Sequence, residues 1–218
     1  MYQFFATCPQ GLEQLLVSEL KALGLKQVRG TRGGVQLETP NLEDAYRVCL
    51  WSHLCHRLLL RVARFRADSP EAIYTAVKKI DWAEHLAVNG TLLVDAKLRD
   101  TQLGNPHFMA RKVKDAIVDQ FRDACGERPS VDTRNPDLRL NLFVHKDQAE
   151  LSLDLTGGGL RRQNDDQAHW RGGLGAAALY LCGWAAQGAE QPLLVLGASD
   201  VDAIISACML AANIAPGL

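Results

Sequence analysis

The sequence predicts an α+β protein made of two units, with a strand–helix unit appended at its C-terminal end. Three observations carry this. Strand-like apolar runs are interleaved with helix-like runs of 3.6-residue period. The order strand, helix, strand, strand, helix over residues 2–53 returns in looser form over residues 55–156. Hydrophobic residues make up 47% of the 218, so a core can form in one large or two small domains.

The elements follow in order. Residues 2–8 are aromatic-rich and strand-like until Pro9 and Gly11 break them. "GLEQLLVSELKALG" then places Leu12, Leu15, Leu16, Leu20 and Leu23 on one helical face, with Gly24 as the stop. "KQVRGTRGGVQLET" reads as two short strands about Gly33-Gly34. Asn41 caps the helix "LEDAYRVCLWSH". "CHRLLLRVARFRA" is a long strand, and Ser69-Pro70 opens the helix "PEAIYTAVKKI". "TLLVDAKLRD" is a strand. The longest helix runs from Pro106 to a stop at Gly126. "DLRLNLFVHKDQAELSLDLTG" is a hairpin with Leu138, Leu140, Leu142 and Val144 alternating in one arm and Leu151, Leu153 and Leu155 in the other.

Past Gly157-Gly158-Gly159 the polar segment "LRRQNDDQAHWRGG" has no period and reads as a linker. "LGAAALYLCGWAA" is one short apolar helix, residues 193–196 a strand, and residues 203–214 a helix.

Composition excludes several classes. The net charge is −1, so any nucleic-acid partner must be held by a local patch rather than a global basic field. No apolar run approaches the ~20 residues that span a bilayer. The N-terminus lacks the basic start of a signal peptide, which predicts a cytoplasmic protein with no membrane partner. Of six cysteines, none in C-x-x-C spacing, most read as small buried hydrophobes, and a chain this long does not need disulfides. His53, Cys55 and His56 cluster in "SHLCHR" without a second ligand pair, so no metal is expected. There is no G-x-S-x-G, and "TGGGLRR" lacks the phosphate-loop pattern, so no catalytic residue is assigned.

Local basic patches are present. "HRLLLRVARFR" carries Arg57, Arg61, Arg64 and Arg66 with no acid between them. Arg111, Lys112 and Lys114 stand near a helix N-terminus beside His107 and Phe108, with Lys97, Arg99 and Arg134 on flanking strand and loop. Helix N–H groups and cations hold phosphate, and rings stack on unpaired bases. The bland alternative is solvated surface charge, with Arg111 and Asp115 as an i,i+4 ion pair.

Four stretches carry a resemblance: "FFATCPQGLEQLLVSELKALG", "VKKIDW", "HFMARKVKDAIVDQFRDACGERPSVDTRNPD" and "MLAANIAPGL". The chain resembles the N-terminal part of the bacterial THUMP-domain methyltransferases that make N2-methylguanosine in 23S ribosomal RNA. The resemblance implies a ferredoxin-like N-terminal domain (1–56) packed on a THUMP domain (57–157), followed by the degenerate, incomplete start of a Rossmann-type methyltransferase domain (158–218). It also implies RNA binding by the first two domains and S-adenosylmethionine in the third.

The sequence departs from the family at the cofactor turn. Where such enzymes read like "DPxCGSGT", this chain reads "VLGASDVD". Val195 stands at the acidic position, Gly197 is the turn's one glycine, and Ser199 and Val201 replace others, with Asp200 between them. A β-branched residue resists positive φ, and the added side chains fill the space where backbone would approach a ligand. S-adenosylmethionine is therefore not expected to bind. The favoured function is a module for structured, ribosomal RNA without catalysis of its own. A methyltransferase represented by its N-terminal portion is the rival. Self-association through the apolar C-terminal segments is the third reading. Residues 165–218 are expected to fold back on the N-terminal domains, to pair with a second chain or to be partly mobile.

Overall fold

Alternation makes Tyr2–Thr7 the first strand, β1: Phe4 and Ala6 are buried and their neighbours are not. The computed structural model describes residues 1–158, 173–187, 192–194 and 201–217. They divide into two units, Met1–Leu58 with Gly159–Leu218, and Leu59–Gly158.

In the first unit β1 is followed by α1 (Glu13–Ala22), which buries Leu16, Val17 and Leu20, and also Glu19. β2 (Gln27–Thr31) and β3 (Gly34–Thr39) form a hairpin, and the strand order is β2-β3-β1, all antiparallel. Gly34 is required here because a Cβ at this position would run into the carbonyl oxygen of Ala6 across the pair. Asn41 does precede α2 (Leu42–Trp51), but its side chain makes no cap hydrogen bond. The Thr39 hydroxyl instead accepts from the Asn41 N–H at 3.2 Å and bonds the Asp44 carboxylate, which ties the chain ahead of the helix to its first turn.

The second unit opens with β4 (Arg57–Arg66), most of which lies in it. Ser69 caps α3 (Pro70–Lys78), its Oγ accepting from Ala72 N at 3.1 Å. A 3-10 turn, Trp82–Glu84, which the sequence did not announce, leads to β5 (Thr91–Arg99). α4 (Pro106–Cys125) ends at Gly126 with φ 78°. β6 (Ser130–Val131), β7 (Leu138–His145) and β8 (Gln148–Asp154) complete the unit in the order β4-β8-β7-β5-β6. Only β8 runs against the rest. The strands β4, β5 and β7 therefore end on one side, where α3 and α4 begin. The helices cover one sheet face, burying Ile73, Val77, Val113 and Ile117 against Leu92, Leu140, Leu142 and Leu151. Trp82 is fully buried and donates Nε1–H to the Val77 carbonyl at 2.9 Å.

The described C-terminal residues return to the first unit. The expected single apolar helix is two: α5 (Leu174–Leu181) and α6 (Trp184–Gln187), parted by Gly183 at φ 78°. α5 packs on α7 (Val201–Ala212). Gly173 sits so close to the 53–54 backbone that a Cβ would lie 2.8 Å from the His53 carbonyl. Gly217 N donates to the Leu50 carbonyl at 2.9 Å. Of the expected strand over 193–196, Leu193 and Leu194 have no strand structure, and the other two positions lie outside the described residues.

The cysteines correct the sequence reading. Cys8 and Cys55 are buried, but Cys125, Cys182 and Cys208 are exposed at the ends or on the outer face of helices. Burial, then the charge of Glu13, pushes the Cys8 thiol up to about 11. His53 and Cys55 are buried while His56 is exposed. Among the described residues no three His, Cys, Asp or Glu gather to hold a metal, and no helix is long and apolar enough to cross a membrane.

Candidate nucleic-acid interface

Pro106 starts α4 where the sequence places it, and the structure adds Asn105 as its cap, whose Oδ1 accepts from His107 N at 2.8 Å. Asparagine satisfies a free N–H and proline occupies a position that has no N–H to satisfy. This start fixes the phase of the helix. Met109, Val113, Ala116 and Ile117 face the core. His107, Phe108 and Arg111 are therefore exposed, Phe108 by 47%. Lys112 Nζ lies 5.6 Å from the Phe108 ring centroid and 3.4 Å from the Glu71 carboxylate.

The expected Arg111–Asp115 pair does not form. Asp115 pairs with the adjacent Lys114 at 2.8 Å, and Arg111 makes no ion pair among the described residues. Both observed pairs are half-exposed, and such pairs contribute little, so they yield to a phosphate at small cost.

Four more of the expected cations stand on the helix-free face of the second unit's sheet. Arg61 and Arg64 share the Glu150 carboxylate at 3.1 and 3.9 Å. A register shift between Arg61 and Ala63 puts both arginines on that face although their spacing is odd. Lys97 and Arg99 are exposed on β5, with Arg99 3.4 Å from Asp100.

Arg134 stands apart. It lies beyond the start of β5, in a turn where Asp132 Oδ1 accepts from Arg134 N at 2.8 Å and Asn135 N at 3.1 Å. Those two N–H groups hold the Asp132 carboxyl below its ordinary range. Asp137 beside it accepts from both the Thr91 hydroxyl and Thr91 N at 2.8 Å, which lowers its carboxyl as well. Thr91 and Arg99 end the same strand, so Arg134 is roughly 25 Å from Arg99 at a rise of ~3.3 Å per residue. The nine expected residues thus fall into an α4 group, a sheet-face group and Arg134. The sequence reading passed over Phe143 and His145. They alternate with the buried leucines of β7, so the same period that found the core faces them away from it.

Two domain families match the chain. The RlmL ferredoxin-like domain covers residues 3–59, and the THUMP domain covers residues 67–154. The chain carries both domains. The THUMP domain contains every cation of the α4 group and Lys97, Arg99 and Arg134. Arg61 and Arg64 lie on β4 just ahead of its matched span.

Relatives match along the whole chain. The ribosomal RNA large subunit methyltransferase K/L of Syntrophotalea carbinolica is 44% identical over 223 residues, which is 99% of this chain and 31% of that protein. The protein of the same name from Pseudomonas aeruginosa is 43% identical over all of this chain and 31% of its own length. The ferredoxin-like–THUMP chain therefore spans about 31% of such relatives. Among solved structures, the methyltransferase-like SMU.472 complexed with SAH has a TM-score of 0.83 and 24% identity over 99% of this chain and 57% of its own, a likeness of fold. The turn positions Val195, Gly197, Ser199 and Asp200 lie outside the described residues, and α7 begins directly after them.

Proposed function

We propose that this chain is a binding module for structured RNA, ribosomal in kind, and that the opening turns of α4 make its phosphate contact. One observation carries the reading: within a THUMP domain, Arg111 is exposed and unpaired among the described residues, beside the exposed His107 and Phe108. Lys112 and Lys114 stand within the next turn, each in a weak surface pair. Cations over a helix start supply salt-dependent phosphate affinity without naming a base sequence. The test is fluorescence anisotropy of a labelled ribosomal RNA hairpin at low and moderate salt. Wild type binds and weakens with salt. Charge reversal at Arg111, Lys112 and Lys114 lowers affinity at least tenfold and flattens the log K against log salt slope by about 2, at ~0.7 per lost contact. No binding at low salt would overturn the reading.

A second reading is favoured by the K/L methyltransferase relatives: the chain is the N-terminal portion of a SAM-dependent 23S rRNA guanine-N2 methyltransferase. The two readings part at the cofactor. The residues at the 195–202 turn do not fit S-adenosylmethionine. Valine replaces the anchoring acid, and one glycine remains where close backbone approach needs several. The chain by itself then binds RNA and catalyses nothing. Calorimetric titration with S-adenosylmethionine should give no saturable heat below millimolar concentration. A saturable micromolar site would favour the enzyme reading.

A further inference from the structure

The helix-free face of the second unit's sheet carries a repeated pattern across four strands. Register places Lys97, Phe143, Glu150 and Arg64 side by side on β5, β7, β8 and β4. Two residues along, on the same face, it places Arg99, His145, Gln148 and Arg66. Each row is a cation, a ring, an acceptor-bearing side chain and an arginine. Strand rise separates the two rings by about 6.6 Å, and the rows by the same.

We infer that this face is a stacking platform for unpaired nucleotides, with Phe143 and His145 each receiving a base and the flanking cations holding the phosphates. The inference rests on the RNA-binding reading and deepens it. It assigns single-stranded RNA to the sheet face, apart from the phosphate contact on α4.

Three observations support it. Phe143 is a half-buried ring on a face that the helices leave uncovered, although Leu140, Leu142 and Val144 around it fill the core. A half-buried aromatic there keeps part of its ring open to a stacking base. The charge is complementary to a phosphate chain. Within the two rows Glu150 is the one carboxylate beside Lys97, Arg64, Arg99 and Arg66, and Lys97 has no ion pair among the described residues, while the three arginines hold exposed surface pairs that yield to phosphate at small cost. The acids at the rim stay by the strand ends: Asp100 against His145 and Arg99, Asp147 and Asp68 against Arg66. Finally, the pattern repeats at a step of two residues, so one strand of RNA laid along β7 meets a ring and two cations at each step.

The test uses the whole chain and two labelled probes, a twelve-nucleotide oligouridylate and a twelve-base-pair RNA duplex, in anisotropy titrations. Phe143→Leu keeps apolar bulk and removes the ring, and Phe143→Tyr keeps the ring. Phe143→Leu should weaken the oligouridylate roughly tenfold and leave the duplex within twofold, while Phe143→Tyr binds like wild type. Lys97→Glu should weaken the oligouridylate as well. Oligouridylate affinity unchanged in Phe143→Leu, or equally lost in Phe143→Leu and Phe143→Tyr, would overturn the platform. If wild type binds RNA and only the α4 charge reversal weakens it, the platform falls and the RNA-binding reading stands. If wild type binds neither probe nor the ribosomal hairpin, both fall.

Discussion

Glu19 lies on the buried face of α1, where its carboxylate accepts from Ser52 Oγ at 2.5 Å, His53 N at 2.8 Å and Leu54 N at 3.4 Å. A helix of leucines has thus placed an acid among them, and three donors offset its desolvation. Tyr180 on α5 feels it: burial first, then the charge of Glu19, pushes the phenol from 10.0 up to about 12. A raised phenol pKa favours the neutral form in the fold. The stability it gives is complete below pH 10 and is lost as pH rises through about 12. Glu19→Ala should cost about 3 kcal/mol by denaturant unfolding, because buried donors are left without an acceptor. In the same variant the phenolate absorbance titration of Tyr180 should move below 12 yet stay above 10, since burial remains. An unmoved midpoint would separate Glu19 from Tyr180.

Among the elements, the end of α3 and the 3-10 turn are tied to α4 by the amide of Gln120. Gln120 Nε2 donates to the carbonyls of Lys78 at 2.8 Å and Ile80 at 2.6 Å, and its Oε1 accepts from Trp82 N at 2.9 Å. It closes the C-terminal end of α3 and holds the 3-10 turn that seats Trp82. Replacing it with the apolar Gln120→Leu should lower unfolding free energy by about 2 kcal/mol in chemical denaturation. Ser69, Pro70, Pro106 and Gly126 made α3 and α4 legible in the sequence, since capping chemistry is local. Gln120 was not legible, because a polar residue on a helix says nothing of the two carbonyls waiting across from it. Nor was β6: two residues carry no period, and its pairing with Thr91 and Leu92 is set by β5. At the interface, residue types marked the cations, but a helical i,i+4 rule could not foresee that Asp115 turns to Lys114. The rings of β7 were legible in principle, as the odd half of an alternation whose even half was read.

At the scale of the molecule, the first unit is made of two separated stretches of chain. The second stretch is seated through Gly173, which has φ 87° and no room for a Cβ beside the His53 carbonyl. Gly173→Ala combines backbone strain with a clash and should loosen this seat by about 2 kcal/mol. Amide hydrogen exchange within α5 would then quicken selectively while α4 keeps its protection. Equal rates in both proteins would show that the seat is held elsewhere. The two N-terminal domains were legible because their patterns are complete within short windows. For the C-terminal stretch the sequence left three alternatives, because its place is fixed by contacts with residues near position 50 that no local pattern encodes; folding back is the one the described residues take.

The split of the first unit has a consequence for how the protein is born. The ribosome releases Met1–Leu58 first, and the rest of that unit emerges only after the whole of Leu59–Gly158. At 5–20 residues per second the wait is on the order of ten seconds. Through it, the backbone around His53 and Leu54 faces the cell without α5 against it. The nascent ferredoxin-like domain must hold its shape alone, on the buried Phe4, Leu16, Leu20 and Leu37 and on the hydrogen bonds that Glu19 accepts from Ser52, His53 and Leu54.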